Sequence, residues 1–210
     1  AIIYLEDAAN RITVYPGANM GLMPEHVAGA FDPKPDAMMI QFELNVDTVV
    51  AAVSEARKRG VMTVVDAGPA RNFPIEKIAG VDVISPNEPE AQCLTGIYPD
   101  SEENILGAAK RLMERAKPKM VVMKLGSRGA AVYDGSELRF FPAFKVKAVD
   151  TTAAGDAFTA GLTLALAEKK PIEEAVRFAS AAGALSVTRH GAAPSLPTRE
   201  EVETFLAAQK

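Results

Sequence analysis

Residues 36–68 read DAMMIQFELNVDTVVAAVSEARKRGVMTVVDAG, and the fold turns on them. DAMMIQFEL (36–44) is an apolar run of strand length and is expected to form a buried strand. NVDTVVAAVSEARKRG then places apolar residues at Val49, Val50, Val53 and Ala56, which is helical spacing. Asp47 is expected to cap that helix, Arg57, Lys58 and Arg59 suit its last turn, and Gly60 ends it. VMTVVDAG (61–68) is a second strand. Strand, helix and strand in that order make a βαβ unit, whose two strands run parallel.

The same alternation continues outward. VDVISPN (81–87) and KMVVMKLG (119–126) read as strands, with EPEAQCLTG and SEENILGAAKRLMERA as helices between them. The expected fold class is therefore α/β, a three-layer α/β/α arrangement with a mainly parallel central sheet. After Gly126 the pattern changes. GAAVYDGSELRFFPA reads as a hairpin turning at Asp134–Gly135, and helices follow near 154–168, 172–188 and 198–208. At the other end, residues 1–6 and 11–15 read as the two strands of a hairpin, and Met23-Pro24-Glu25-His26 suits a helix start. No repeat, low-complexity tract or linker interrupts the chain. One domain is expected over 1–210, with residues 1–16 as a small β appendage. A chain that opens inside a strand, at AIIYLED, is expected to lack an N-terminal part.

The 210 residues are 48% apolar and 24% charged, enough to bury a core. A net charge of −4 argues against nucleic acid, since duplex binding needs a basic face. It leaves room for a phosphorylated small molecule, which needs only local positive potential. The single cysteine, Cys93, allows no disulfide within the chain, and that fits a cytoplasmic protein. No apolar run approaches a membrane span, and no signal pattern opens the chain.

Several chemistries find no motif. The sequence has no P-loop, no G-x-G-x-x-G fingerprint and no Cys/His zinc spacing. His26 and His190 lie far apart without a G-x-S-x-G elbow. Asp150-Thr-Thr-Ala-Ala-Gly-Asp156 is different. It follows an expected strand FKVKAV (144–149) and opens an apolar helix. The first amides of a helix lack internal acceptors and carry the positive end of its dipole. Ala153, Ala154 and Gly155 would let a phosphate approach those amides closely. Asp156, one turn in, would then accept a proton from an attacking hydroxyl. Ordinary capping by Thr152 or Asp150, with Asp156 favouring the dipole, explains the same letters, and spacing alone leaves both readings open.

DTTAAGDAF resembles the C-terminal signature of the ribokinase-like (PfkB) carbohydrate kinases. NEPEAQCLTG (87–96) resembles that family's N-x-x-E segment, and KLGSRGAAVYDG (124–135) its nucleotide-site turn. PGANMGLMPEHV (16–27), MIQFEL (39–44) and RFASAAGALSVTRHGAAPSLPTREEVETFL (177–206) are also similar, so the resemblance covers essentially the whole chain. It implies ATP-dependent transfer of the γ-phosphoryl group to the primary hydroxyl of D-ribose, giving ribose 5-phosphate. It implies Asp156 as the catalytic base and Ala153, Ala154 and Gly155 as the anion hole. Asn87, Lys124, Gly126, Ser127, Gly129, Gly155 and Ser180 fall where the nucleotide is held. Glu43, with Asp156, falls where the sugar is held. Asn87 and Glu90 match the pair that organises Mg²⁺. Asp150, Thr152, Ser186, Arg189, Gly191 and Ser195 match the surroundings of a monovalent cation, K⁺, with Arg189 contributing its carbonyl.

The chain also departs from the family. Members carry a segment ahead of its first residue, with sugar-binding groups and strands of a small β lid. The resemblance makes residues 1–16 a remnant of that lid. It implies a homodimer through the lid, or association with the missing N-terminal segment. Two other readings stand beside the ribose kinase. One is a catalytically silent nucleotide-binding or assembly protein, and the other a kinase for another sugar or nucleoside.

Overall fold

The computed structural model describes residues 2–4 and 10–209. Its strands are β1 (Ile2–Tyr4), β2 (Asn10–Ile12), β3 (Ala37–Ile40), β4 (Met62–Asp66), β5 (Val83–Ser85), β6 (Met120–Lys124), β7 (Ala130–Tyr133) and β8 (Leu138–Phe141). Its α-helices are α1 (Val46–Arg59), α2 (Glu88–Thr95), α3 (Glu102–Ala116), α4 (Ala154–Ala167), α5 (Ile172–Ser186) and α6 (Arg199–Ala208). Two compact units result. Pro16–Gly126 with Ala130–Phe140 forms one, and Ser127–Gly129 with Phe141–Lys210 and the hairpin β1–β2 forms the other.

The first unit is built on a six-stranded sheet in the order β3-β4-β5-β6-β7-β8. From β3 to β6 the strands are parallel, and β7 pairs antiparallel to β6. Thr63 to Asp66 on β4, all of β5 and all of β7 are buried in succession. A strand buried at every residue, not every second one, lies in a sheet covered on both faces, as the three-layer class requires. On one face Val65, Ile84 and Val121 pack with Val49 and Val53 of α1 and Ala109, Leu112 and Ala116 of α3. Apolar positions three and four apart put each helix's stripe onto the sheet.

Three local expectations change. The strand predicted over 36–44 is only Ala37–Ile40. Among the described residues it has a hydrogen-bonded neighbour on one side only, β4, and Met39 is exposed. Phe42 then leaves the sheet: its N–H donates to the Gly68 carbonyl (2.7 Å), and its ring stacks on Phe73 at 3.9 Å between centroids. Asp47 does not cap α1. The N-cap position belongs to Asn45, whose side chain donates to the Met20 carbonyl (2.9 Å), and Asp47 sits in the first turn. Gly60 ends α1 as expected, in the left-handed conformation at φ 63°. FKVKAV (144–149) is not a strand. Its mostly exposed residues bury too little to join a sheet, and Val149 N–H bonds to the Val187 carbonyl (2.7 Å) beyond α5.

The two hairpins form where they were expected. At the β7–β8 turn the Asp134 carboxylate accepts the Ser136 N–H (2.9 Å), the Ser136 hydroxyl (2.7 Å) and the Glu137 N–H (3.0 Å). At the N-terminus Ile2 pairs with Ile12 and Tyr4 with Asn10. Ala1, Leu5 and Glu6 of that expected strand lie outside the described residues, and Thr13–Tyr15 are not strand.

In the second unit α4 and α5 pack through small side chains. A Cβ on Gly161 would stand 3.2 Å from the Ala179 Cα and 3.4 Å from the Ala182 Cβ. A Cβ on Gly183 would stand 3.3 Å from the Ala154 carbonyl oxygen. Gly161→Val overfills that crossing and is expected to destabilise the chain by about 1–3 kcal/mol, read as a lower urea midpoint. Gly21→Ala, where a Cβ meets nothing within 4 Å, is expected to unfold like the parent. Equal midpoints for all three proteins would mean that the helices do not depend on this close approach.

Candidate active site

The start of α4 differs from those of α2, α3 and α6 and shares with α1 and α5 the lack of a side-chain cap. Asn87 caps α2, Ser101 caps α3 and Thr198 caps α6, each accepting a backbone N–H with its side chain. α4 has no side-chain cap. Its N-cap is Ala153, held in the left-handed conformation at φ 62° and ψ 6°, a strained position for a residue with a Cβ. The N-cap position belongs to neither Thr152 nor Asp150, the two residues that the capping reading offered. Asp150 is fully buried and turns its carboxylate to the loops: one oxygen accepts the Thr152 N–H (2.9 Å), the other the Gly191 N–H (2.8 Å).

The N-cap residue thus offers the first turn no side-chain acceptor. Ala157 N–H closes it on the Ala153 carbonyl (2.9 Å), and Ala154 N–H bonds to the Thr151 carbonyl (3.3 Å). Of the three amides expected to cradle an anion, that of Ala154 is thus already engaged. The Gly155 amide, second in the helix, has no acceptor within it. Asp156 is exposed in this same turn and does not point into the packed interior.

The residues matched to a monovalent cation gather in the same unit. Ser186 and Ser195, both fully buried, stand with hydroxyls 3.1 Å apart, and the Ser195 hydroxyl donates to the Ala192 carbonyl (2.7 Å). Asp150 N–H and Val149 N–H share the Val187 carbonyl. The Arg189 guanidinium grips both oxygens of Glu201 on α6, at 2.6 and 3.3 Å. Carboxylate, hydroxyl and carbonyl oxygens are the donors that a hard cation takes. Ser180 lies on α5, half-buried, and its buried hydroxyl oxygen makes no hydrogen bond to the described residues. Gly129, at φ 97°, is required by contact: a Cβ there would collide with the Phe141 carbonyl and lie 2.6 Å from the Ala143 nitrogen. Ser127 is exposed on the short 3-10 turn Gly126–Arg128.

In the sheet unit Asn87 and Glu90 form a capping box. The Asn87 side chain accepts the Glu90 N–H (2.9 Å), and one Glu90 carboxylate oxygen accepts the Asn87 N–H (2.7 Å). Glu90 is nonetheless buried. Its other oxygen stands 2.9 Å from where a Cβ on Gly68 would be. Oxygen ligands of this kind suit Mg²⁺ when nucleotide phosphates complete the coordination. Among the described residues no group of three or more His, Cys, Asp or Glu holds a metal by itself. Lys124 points its ammonium to Asp66, 2.7 Å away. Gly126, at φ 55°, begins the turn that follows. Glu43 is exposed just beyond β3.

The family model for pfkB family carbohydrate kinases matches residues 1–199. The chain belongs to the pfkB family of carbohydrate kinases. It is 37% identical to a ribokinase of Haemophilus influenzae over 96% of its own length and 66% of that protein's. It is 30% identical to a deoxyribokinase of Salmonella typhi, again over 66% of that protein. The chain thus spans just under two thirds of each of these two curated relatives. Among solved structures, a Thermotoga maritima ribokinase superposes with a TM-score of 0.82 at 38% identity, covering 98% of this chain and 68% of that one. An Arabidopsis thaliana ribokinase complexed with ribose and ATP superposes with a TM-score of 0.86 at 32% identity, covering 98% and 67%. The ribokinase-like fold is that of the pfkB family.

Asp66 was not singled out in the sequence. The signal was available, since VVDAG places a carboxylate at the end of a strand that is otherwise apolar, where burial demands a counter-ion. Glu201 was missed as the partner of Arg189. The Arg189 guanidinium, with the Thr198 N–H, holds the Glu201 carboxyl down to about 2 from its ordinary 4.5. A carboxyl depressed by folding contributes stability in full above its unfolded value and loses it as pH falls through the folded one. The contribution of Glu201 is therefore expected to fade from about pH 5 towards about pH 2. Glu201→Gln should flatten that part of the denaturation midpoint against pH. An unchanged profile in the variant would mean that the pair adds nothing.

Proposed function

We propose that this chain carries the base and the nucleotide-handling part of an ATP-dependent pentose kinase. The reaction is transfer of the γ-phosphoryl group to the primary hydroxyl of D-ribose, giving ribose 5-phosphate. The observation that carries this reading is the start of α4: an uncapped helix end, lined by residues with little or no side chain, with an exposed carboxylate in its first turn. Relatives named ribokinase, and a similar structure complexed with ribose and ATP, favour ribose. The relative named deoxyribokinase makes 2-deoxyribose the first competitor to test.

Asp156 accepts the proton of the attacking hydroxyl. The hydroxyl oxygen forms its bond to the γ-phosphorus as the bond to the β-phosphate oxygen breaks, and ADP leaves with that electron pair. The transition state is loose, so positioning and charge stabilisation outweigh base strength. The helix end, with Gly155 in its first turn, faces the oxygens of the migrating group, where dipole and amides favour negative charge. Asn87, Gly126, Ser127, Gly129 and Ser180 hold the nucleotide, and Glu43 holds the sugar. Asn87 and Glu90 would organise Mg²⁺, which would supply the positive charge that the motif lacks. Asp150, Thr152, Ser186, Arg189, Gly191 and Ser195 would hold K⁺, which would stiffen the loop beside α4. The setting is cytoplasmic.

Coupled ADP release with ATP and ribose tests the reading. Asp156→Asn is expected to lower kcat by about 10²–10⁴-fold while ATP binding, read by calorimetry, is kept. Activity should also be higher in K⁺ than in Na⁺. An Asp156→Asn protein as active as the parent would remove the base. ATP binding without turnover of any sugar would favour a silent nucleotide-binding protein.

A further inference from the structure

We propose that Lys124 is a positioning residue acting through Asp66, and that it does not contact the nucleotide. The inference rests on the reading that the loops after β5 and β6 serve ATP. Register supplies the first argument. Asp66 on β4 lies opposite Ser85 on β5, and Asn87, two residues on, bridges to Lys124 on β6. Asp66 and Lys124 therefore sit on strands separated by β5, with backbones about 10 Å apart at ordinary strand spacing. Their charged ends still meet at 2.7 Å. The lysine side chain must lie back across the sheet above β5, away from a ligand beyond the strand ends.

Burial supplies the second argument. Side-chain exposure is 11% for Lys124 and 6% for Asp66. A buried charge deprived of its partner is strongly destabilising, whereas removing both partners is far less so. Ser85, beneath the pair, is fully buried, and its hydroxyl makes no hydrogen bond to the described residues. The ion pair and the Ser85 hydroxyl together make this part of the sheet a polar layer.

The third argument concerns Glu90. A Cβ on Gly68 would stand 2.9 Å from a Glu90 carboxylate oxygen and 3.7 Å from an Asp66 one. Two buried carboxylates thus front the same glycine. With the Lys124 ammonium on Asp66, Glu90 keeps its place in the capping box with Asn87. Without it, two like charges face each other in a poorly solvated place. Lys124 in this way fixes the departures of three loops, at Gly68, at Asn87 and at Gly126.

A double-mutant cycle tests the proposal, using the parent chain, Asp66→Asn, Lys124→Met and the double variant. Each is titrated with MgATP by calorimetry and unfolded in urea. Each single variant is expected to bind MgATP about tenfold or more weakly and to unfold at lower urea. The double variant is expected to recover to within about threefold of the parent in affinity, with a midpoint above that of either single variant. If Lys124 touches the nucleotide, deleting Asp66 cannot restore affinity, and a double variant as weak as Lys124→Met overturns the proposal. Should Lys124→Met alone fail to fold, the double variant decides in the same way. A parent that does not bind MgATP would defeat the functional reading instead. The urea midpoints would then decide alone, with additive losses removing the coupling between Lys124 and Asp66.

Discussion

One buried carboxylate holds the candidate site in shape. Asp150 has no exposure to solvent and accepts one N–H from Thr152 and another from Gly191. The first bond sets the path of the chain into α4, and the second ties that path to the loop after α5. A buried carboxylate is tolerable only with such donors. Once committed there, it cannot cap the helix. The chain enters α4 through Ala153 in a left-handed conformation instead, at a cost of about 1–3 kcal/mol, and the helix end stays open.

That division of labour explains what the sequence showed and what it hid. DTTAAGD marks a helix start, and α4 begins where the letters put it, at Ala154. The letters do not say whether Asp150 and Thr152 cap the helix or hold the loop, because both tasks use the same oxygen acceptors. Only the fold brings Gly191 to Asp150 across forty-one positions. The βαβ alternation, the α2 and α3 helices and the Asp134 hairpin were all legible from periodicity and turn chemistry. The position of β3 at one end of the described sheet was not, since strand order is decided by pairing between segments. FKVKAV failed as a strand for a related reason: its alternation suits a sheet, but no neighbouring strand pairs with it.

Polar groups within the sheet unit do more than one job. Glu90 uses one oxygen to complete a capping box and turns the other to Gly68. A helix start capped by a buried Glu is more than local stabilisation requires, since a capping box works as well on the surface. Asp66 and Lys124 lie in a layer where apolar residues would pack more cheaply. Buried ionisable groups grouped in this way are the sort of departure from simple packing found at functional sites.

The strand order of the sheet follows the order of the chain, from β3 to β8, so no strand is inserted between two that are consecutive in sequence. Each strand pairs with the one made just before it, so every closure joins segments near in sequence. Each closure spans one connecting segment, so the entropy of loop closure is modest at each step. Such a sheet can be assembled one strand at a time as the ribosome releases it. Each new strand meets a completed neighbour, which shortens the interval during which its apolar faces are open to the wrong partner.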